Sequence, residues 1–591
     1  MAPAETAQPG PLRGACLLGA FLVARAAILA GRPLPHSPWA VPAYVWQDVV
    51  AALLFALLIA AARPRWVGWS VYGLAVAYVA INVPIARVLS SPLTWTMLRA
   101  ARPELSDSIR HYLTPEHLAG TVLVAVAGAV LPILGRRVGP PGHATILTLA
   151  LLVALGPLAA RRVETAGLER NALLVLVTSA VPRVAAQPAS DEWRSSPFGP
   201  PPAGSLERYR GLAADRNVVL VVLESTGARY LRPYGAALDP TPNLTHLARR
   251  ALLFENAYAV YPESVKGLLP ILSSQYPAFD TEPELYRRIQ GPSLPELLAR
   301  AGYRTALFHS GRFMYLGMEA IIGGRGFDTQ EDAGAIGGQR ESSFGVDEAS
   351  AVRRILAWID ALPREQRFLV TYLPIAGHHP YATAAPGPFP DDREIDRYHN
   401  ALYEGDRALG ALRAGLSERA LDPRTIWVVL GDHGEAFGQH PGNYGHTLFI
   451  YEENVRVPLL ISAPGIVNEQ VWVASPASSI DIAPTILDFL GRPVPAEHQG
   501  RSLLGGPVGM ALFYTDYSLG WLGLRDGCLK YLFELEARRS KLFDLCRDPE
   551  ERKDLSGALS ERVDFYRRRL ERWSAAQRAR ALERRTQQDE G

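Results

Sequence analysis

Five long apolar runs dominate the first 160 residues, at about 15–30, 45–62, 67–86, 118–134 and 144–160. Each is close to the ~17 to 25 residues needed to cross a bilayer as a helix. They follow one another across short loops carrying Arg and Pro, a succession that the buried helices of a soluble domain rarely produce. Arg25 interrupts the first run, and a guanidinium there must either snorkel toward headgroups or face the bundle interior. If the runs alternate in direction, Arg13, Arg63, Arg65, Arg136 and Arg137 share one side, which the excess of basic loops marks as cytoplasmic. The chain after the fifth run is then outside. The opposing loop, 87–117, also holds Arg99, Arg102 and Arg110, offset by Glu104, Asp107 and Glu116. A cleaved first run or an even count of spans would change this topology. Residues 171–184 are apolar but short and contain Pro182, which predicts a segment lying on a membrane surface. Residues 188–204, with Pro197, Pro200, Pro201 and Pro202, read as a linker.

From Arg216 the pattern changes to short apolar runs alternating with amphipathic stretches. Residues 218–223, 306–309, 368–373, 425–430 and 457–462 predict strands, and 293–301, 348–362 and 398–416 predict helices. Such alternation implies a mostly parallel sheet covered by helices on both faces. Three β-prone segments, 513–515, 529–533 and 541–545, suggest a small antiparallel unit, and 560–585 an Arg- and Glu-rich helical tail. The expected organisation is therefore an all-α transmembrane bundle (1–165), an interfacial segment and linker (166–214), an α/β catalytic domain (215–505) and a β subdomain with its tail (506–591).

The mean hydropathy of +0.02 averages these unlike parts. A net charge of +2 over 591 residues, with no long block of one sign, gives no case for nucleic-acid binding. Three cysteines exclude a disulfide framework and a cysteine-ligated zinc cluster. Cys528 and Cys546 either pair in an oxidising compartment or remain two free thiols.

Candidate chemistry starts at Gly431-Asp432-His433-Gly434-Glu435, directly after the 425–430 strand. A carboxylate and an imidazole side by side at the C-terminal end of a strand are two metal donors where open α/β sheets place their ligands. Glu224, after the first strand, adds a carboxylate at the same edge. Ser264 precedes the helix-like run 268–272, which sets its hydroxyl at a helix N-terminus, where anions are favoured; the alternative is a plain N-cap. Lys266 is the one lysine before Lys530 in an otherwise arginine-rich chain, which suggests that a compact point charge is needed beside this serine.

Taken in order, Asn217 to Glu224, Thr241-Pro242-Asn243-Leu244, Ser264 with Ser273-Ser274-Gln275-Tyr276-Pro277, Gly326-Phe327-Asp328, His379-Pro380-Tyr381, Gly431 to Glu435, Arg456-Val457-Pro458-Leu459 and Asp481-Ile482-Ala483-Pro484-Thr485 resemble the sulfatase and phosphotransferase branch of the alkaline phosphatase superfamily. Five spans before such a domain look like lipoteichoic acid synthases and are similar to phosphoethanolamine transferases. The resemblance implies one divalent metal held by Glu224, Ser264, Asp432 and His433, with Ser264 as the catalytic nucleophile. That donor set suits zinc or manganese, with magnesium or calcium as alternatives. It also implies substrate-binding roles for His446 and for His378 and His379; Lys266 and Arg312 are the candidate cations for a substrate anion.

Two departures from sulfatases are informative. Ser264 is followed by Lys266 and Leu268, where conversion to formylglycine needs Pro or Ala and then Arg, and Glu224-Ser225 stand where sulfatases carry paired aspartates. Both point to an unmodified hydroxyl. The expectation is thus a multi-pass enzyme of the cytoplasmic membrane with an extracytoplasmic catalytic domain, transferring a head group from a phospholipid or other envelope phosphodiester through Ser264. The alternatives are a sulfatase or phosphodiesterase that delivers the intermediate to water, and a non-catalytic envelope protein that only binds. No motif fixes the oligomeric state.

Overall fold

The computed structural model describes residues 9–32, 34–60, 65–100, 114–136, 142–190, 192–198, 206–339, 345–506 and 509–589. They fall into two compact units, one running to Pro182 with the short returns Tyr517–Leu519 and Leu535–Arg539, the other starting at Arg183.

Among its described residues the first unit contains five helices long and apolar enough to cross a membrane: α1 (Pro9–Leu29), α2 (Ala40–Ala60), α3 (Arg65–Leu89), α4 (Pro115–Gly135) and α5 (His143–Arg162). α1 packs against α2, α3 and α4, and α2 against α5. Arg25 faces the bundle interior. Its guanidinium lies 3.0 and 2.9 Å from the two carboxylate oxygens of Asp48 on α2, and it donates to the carbonyls of Glu169 and Arg170. Asn171 adds a 2.8 Å bond to Asp48. A buried charge is tolerated only when paired and hydrogen-bonded in this way. Arg63, Arg102, Arg110 and Arg137, with Glu104 and Asp107, lie outside the described residues. Within 171–184 the chain forms one short helix, α6 (Ala172–Thr178).

The second unit is built on an eight-stranded sheet. Its strands are β1 (Asn217–Leu223), β2 (Leu252–Phe254), β3 (Arg304–His309), β4 (Thr329–Glu331), β5 (Phe368–Leu373), β6 (Thr425–Gly431), β7 (Leu459–Ser462) and β8 (Val471–Val473), in spatial order β8-β2-β7-β6-β1-β5-β3-β4. β7 runs against both of its neighbours, whereas the other pairings are parallel. Val218, Leu220 and Val222 enter a core with Leu268 and Ile486, while Val219 and Val221 enter the opposite one with Leu244 and Leu409. Burial on both faces is why the central strands read as unbroken apolar runs.

Differences from the sequence-based elements have local causes. The 457–462 run splits at Pro458, which has no N–H to give a ladder. Arg456–Val457 therefore pairs in a separate three-stranded sheet, and only Leu459–Ser462 joins the main one. β4 and β8 are three-residue strands with partly exposed side chains, too short to show periodicity, and β4 is polar as well.

The C-terminal sheet has four strands, β9 (Ala511–Thr515), β10 (Trp521–Asp526), β11 (Leu529–Glu534) and β12 (Arg539–Asp544), in that order. β10 escaped the sequence reading because Gly523 breaks its apolar pattern; a Cβ there would lie 2.3 Å from the Phe513 ring. A disulfide joins Cys528 to Cys546, which resolves the two readings of that pair. The tail is one helix, α7 (Ser560–Asp589), burying Tyr566, Leu570 and Trp573.

The stretch expected as a linker is docked where it is described. Arg194 makes two bonds to Asp481, at 2.5 and 2.8 Å, and its carbonyl accepts from Met510 at 2.7 Å. Both side chains are almost fully buried, at 3% and 0% exposure. Removing one member of such a pair strands the other, so Arg194→Ala is expected to cost about 3 kcal/mol in denaturant unfolding of this unit. A loss well below about 1 kcal/mol would mean that the N–H groups of Ser478 and Arg501, which also reach Asp481, suffice.

Candidate active site

β1 and β6 are parallel neighbours with Leu223 opposite Gly431. The residues that follow, Glu224 and Asp432, therefore leave the sheet side by side at its C-terminal edge. Ser225 adopts a left-handed conformation (φ 52°) and its N–H donates to Asp432 Oδ1 at 3.0 Å. The glycines of the 431–435 motif answer to backbone crowding: a Cβ on Gly431 would lie 2.3 Å from the Thr226 carbonyl, and one on Gly434 2.1 Å from that of Glu453. His433 Nδ1 meets the Gly434 carbonyl at 3.0 Å, which assigns the ring proton to that nitrogen. The lone pair of Nε2 is thereby turned toward Ser264 Oγ at 3.2 Å, with Asp432 Oδ2 at 3.4 Å and Glu224 Oε1 at 3.6 Å.

Ser264 opens the helix Ser264–Ser273, but it is not the cap. Glu263 takes that role, accepting from the N–H groups of Val265 (2.7 Å) and Lys266 (3.1 Å). The Ser264 hydroxyl is left to donate to Glu224 Oε2 at 2.8 Å. Glu224, Asp432 and His433 are buried, whereas Ser264 keeps partial access to solvent.

The electrostatics fit a cation. Burial pushes the Glu224 carboxyl up, but the imidazoles of His433, His378 and His446 and the Ser264 hydrogen bond outweigh it and hold the group at about 2. Asp432 is driven well above the carboxylate range by burial and then by the charge of Glu224. Two adjacent buried carboxylates cannot both ionise unaided. One ligand atom each from Glu224, Asp432 and His433 lie within 4.8 Å of one another, and this oxygen and nitrogen set is one a divalent ion accepts.

Around this centre the other candidates separate. His446 stacks on His433, ring centroids 4.1 Å apart, and its Nδ1 bonds Glu435 Oε2 at 2.8 Å. Glu435, raised by burial to about 7, also accepts from Tyr381 at 3.0 Å. His378 is near enough to influence Glu224, Glu435 and His446. His379 instead lies 3.8 Å from Glu394 and edge-on to Tyr381. Arg312 is exposed, its guanidinium beside Gly334. Lys266 departs most from its expected place: its ammonium is buried against Asp516, 3.0 and 3.1 Å from the two oxygens, so its charge is already met.

Three neighbours escaped the sequence reading. His309 ends β3 at the same sheet edge, buried, with Nδ1 on the Leu373 carbonyl at 2.8 Å. It looked like the last residue of a strand, and only its place at that edge signals more. Glu435 was visible in the pentapeptide but reads as a solvated acid until His446 is placed on it. Tyr381 reads as core.

Residues 216–492 match the sulfatase family. Arylsulfatase K of Xenopus laevis is 27% identical over 244 residues, 36% of this chain and 45% of that protein. The lipoteichoic acid synthase-like protein YvgJ of Bacillus subtilis (strain 168) is 23% identical over 319 residues, 50% of this chain and 51% of that one. The chain thus spans about half the length of these curated relatives. Among solved structures, the lipoteichoic acid synthase LtaP of Listeria monocytogenes superposes with a TM-score of 0.50 at 18% identity, over 63% of this chain and 95% of that one. BT4656, solved with D-glucosamine-2-N,6-O-disulfate, gives 0.51 at 17%, over 62% and 98%. These likenesses show a shared fold. Over residues 216–492 the chain carries a sulfatase-family domain.

Proposed function

We propose that this protein is a membrane-anchored, metal-dependent enzyme that attacks a phospholipid or other envelope phosphodiester with Ser264 and passes the head group to an acceptor. The observation that carries the reading is the freed Ser264 hydroxyl, 2.8 Å from Glu224 and 3.2 Å from His433 Nε2 at a helix whose cap is supplied by Glu263. Glu224, Asp432, His433 and Ser264 would hold one zinc or manganese ion. Such an ion, when bound, lowers the pKa of the serine hydroxyl and neutralises charge on phosphoryl oxygens. Ser264 Oγ gives up its proton to solvent and forms the new bond to phosphorus as the bond from phosphorus to the diacylglycerol oxygen breaks; that oxygen leaves with the electron pair and takes up a proton, and the acceptor hydroxyl, losing its own proton, later displaces Ser264. His446, held by Glu435, and His378 line the same side as donors to the phosphoryl oxygens or the leaving group.

Two features support an extracytoplasmic site in a membrane protein. Five apolar helices of spanning length precede the domain, and the Cys528–Cys546 bridge belongs to an oxidising compartment. Similarity to arylsulfatases favours a second reading, sulfate ester hydrolysis; against it, Lys266 and Leu268 stand where formylglycine formation needs other residues.

The test is a direct comparison. Metal-loaded protein is given vesicles of anionic or zwitterionic phospholipid, and separately an aryl sulfate, and Ser264 is examined by mass spectrometry. Diacylglycerol release with a phospho-adduct on Ser264 is expected. Sulfate release with formylglycine at that position would establish the hydrolase instead, and metal binding without turnover a binding protein.

A further inference from the structure

Apolar packing fixes how deep a helix sits but is non-directional, and nine of the ten residues of the helix Ser264–Ser273 are buried. Directional bonds set how its first turn faces His433, and the Glu263 cap and the Ser264–Glu224 bond are joined by a third hold. Asp516, the residue after β9, offers this. Its Oδ1 accepts from the Tyr261 hydroxyl at 2.6 Å and from Lys266 Nζ at 3.1 Å; its Oδ2 accepts from Lys266 Nζ at 3.0 Å and from the Asp280 N–H at 2.6 Å. The Lys266 ammonium also lies over the Tyr261 ring, 4.9 Å from its centroid. Lys266 and Asp516 are 6% and 3% exposed. Asp280 in turn binds the Arg183 guanidinium at 3.1 and 2.7 Å, so two cations and two carboxylates close a neutral group.

We propose that Asp516 is a positioning residue for Ser264: one carboxylate, lent by the C-terminal sheet, grips the chain three residues before and two residues after the nucleophile. The clamp rests on the reading of Ser264 as nucleophile. It also explains the lone lysine of this region. Its compact ammonium meets both carboxylate oxygens of Asp516 and the Tyr261 face at once.

The test compares wild type, Asp516→Asn, Lys266→Met and the double variant Asp516→Leu/Lys266→Met, all metal-loaded, on phosphatidylglycerol and phosphatidylethanolamine vesicles. Displacing a reacting group by about an ångström costs on the order of a hundredfold in rate, so the single variants should lose roughly tenfold to a hundredfold in kcat with KM and metal content near wild type. The double variant replaces the ion pair with an apolar one, which restores stability in other buried pairs. Here, with the Tyr261 hydroxyl and the Asp280 N–H left without this acceptor, it should recover part of the melting temperature lost by the single variants and keep the loss in kcat. Recovery of kcat together with stability overturns the clamp, as do single variants that turn over at the wild-type rate. A wild-type protein that never forms a Ser264 adduct overturns the nucleophile, and the clamp with it; normal labelling of wild type and variants alike overturns the clamp alone.

Discussion

Ser264→Ala is expected to lower lipid turnover by roughly a thousandfold or more while the protein still folds and binds metal. A nucleophile that forms a covalent intermediate has no substitute in the site, so the loss should appear in kcat rather than in KM. Stability should change little. The hydroxyl's hydrogen bond to Glu224 is a single contact at a half-exposed position, worth about 1 kcal/mol. Helix capping is untouched, because it belongs to Glu263. Turnover and adduct mass on the variant, with thermal unfolding as the control for folding, check this. A variant that retains turnover within a few fold of wild type would show that another group attacks the substrate.

Asp432→Asn should abolish metal binding, with an unusual signature in stability. In the metal-free protein Asp432 is held well above its ordinary carboxylate range by burial and by Glu224. A group raised in this way contributes stability that is full below its unfolded value, near 3.8, and is lost as pH rises through the folded value. The metal-free wild type should therefore become less stable from about pH 4 upward, in the part of the profile owed to this residue. Asparagine removes the charge yet keeps an oxygen for the Ser225 and His433 N–H groups, so the metal-free variant should unfold no earlier than wild type and with a flatter pH profile. Metal reverses the ranking. At a hundredfold excess over Kd a ligand of the native state adds about 2.7 kcal/mol, a gain that wild type shows and the variant lacks. Metal content by elemental analysis and melting curves with and without manganese or zinc read both arms. Full metal occupancy in the variant would sink the assignment of Asp432 as a ligand.

How far the chain could be read without coordinates followed the kind of interaction involved. The central strands were legible because a sheet covered on both faces writes itself as runs such as Val218 to Leu223. Glu224, Asp432 and His433 were legible because strand ends and catalytic edges coincide. Lys266 and His309 were not. An ammonium two residues from a serine looks like an anion-binding cation until its partner 250 residues away is known, and a histidine ending a strand is indistinguishable from core. Long-range pairing of charges leaves no local trace, which is also why Arg194 reads as part of a linker.

That docking has a consequence for releasing the soluble portion by proteolysis or by design. A fragment starting after Arg194 would discard Arg183 and Arg194 and remove the guanidinium partners of Asp280 and Asp481 in the remaining domain. Cleavage on the N-terminal side of Arg183 would keep both counter-ions with Asp280 and Asp481; cleavage after Arg194 would remove them and cost stability.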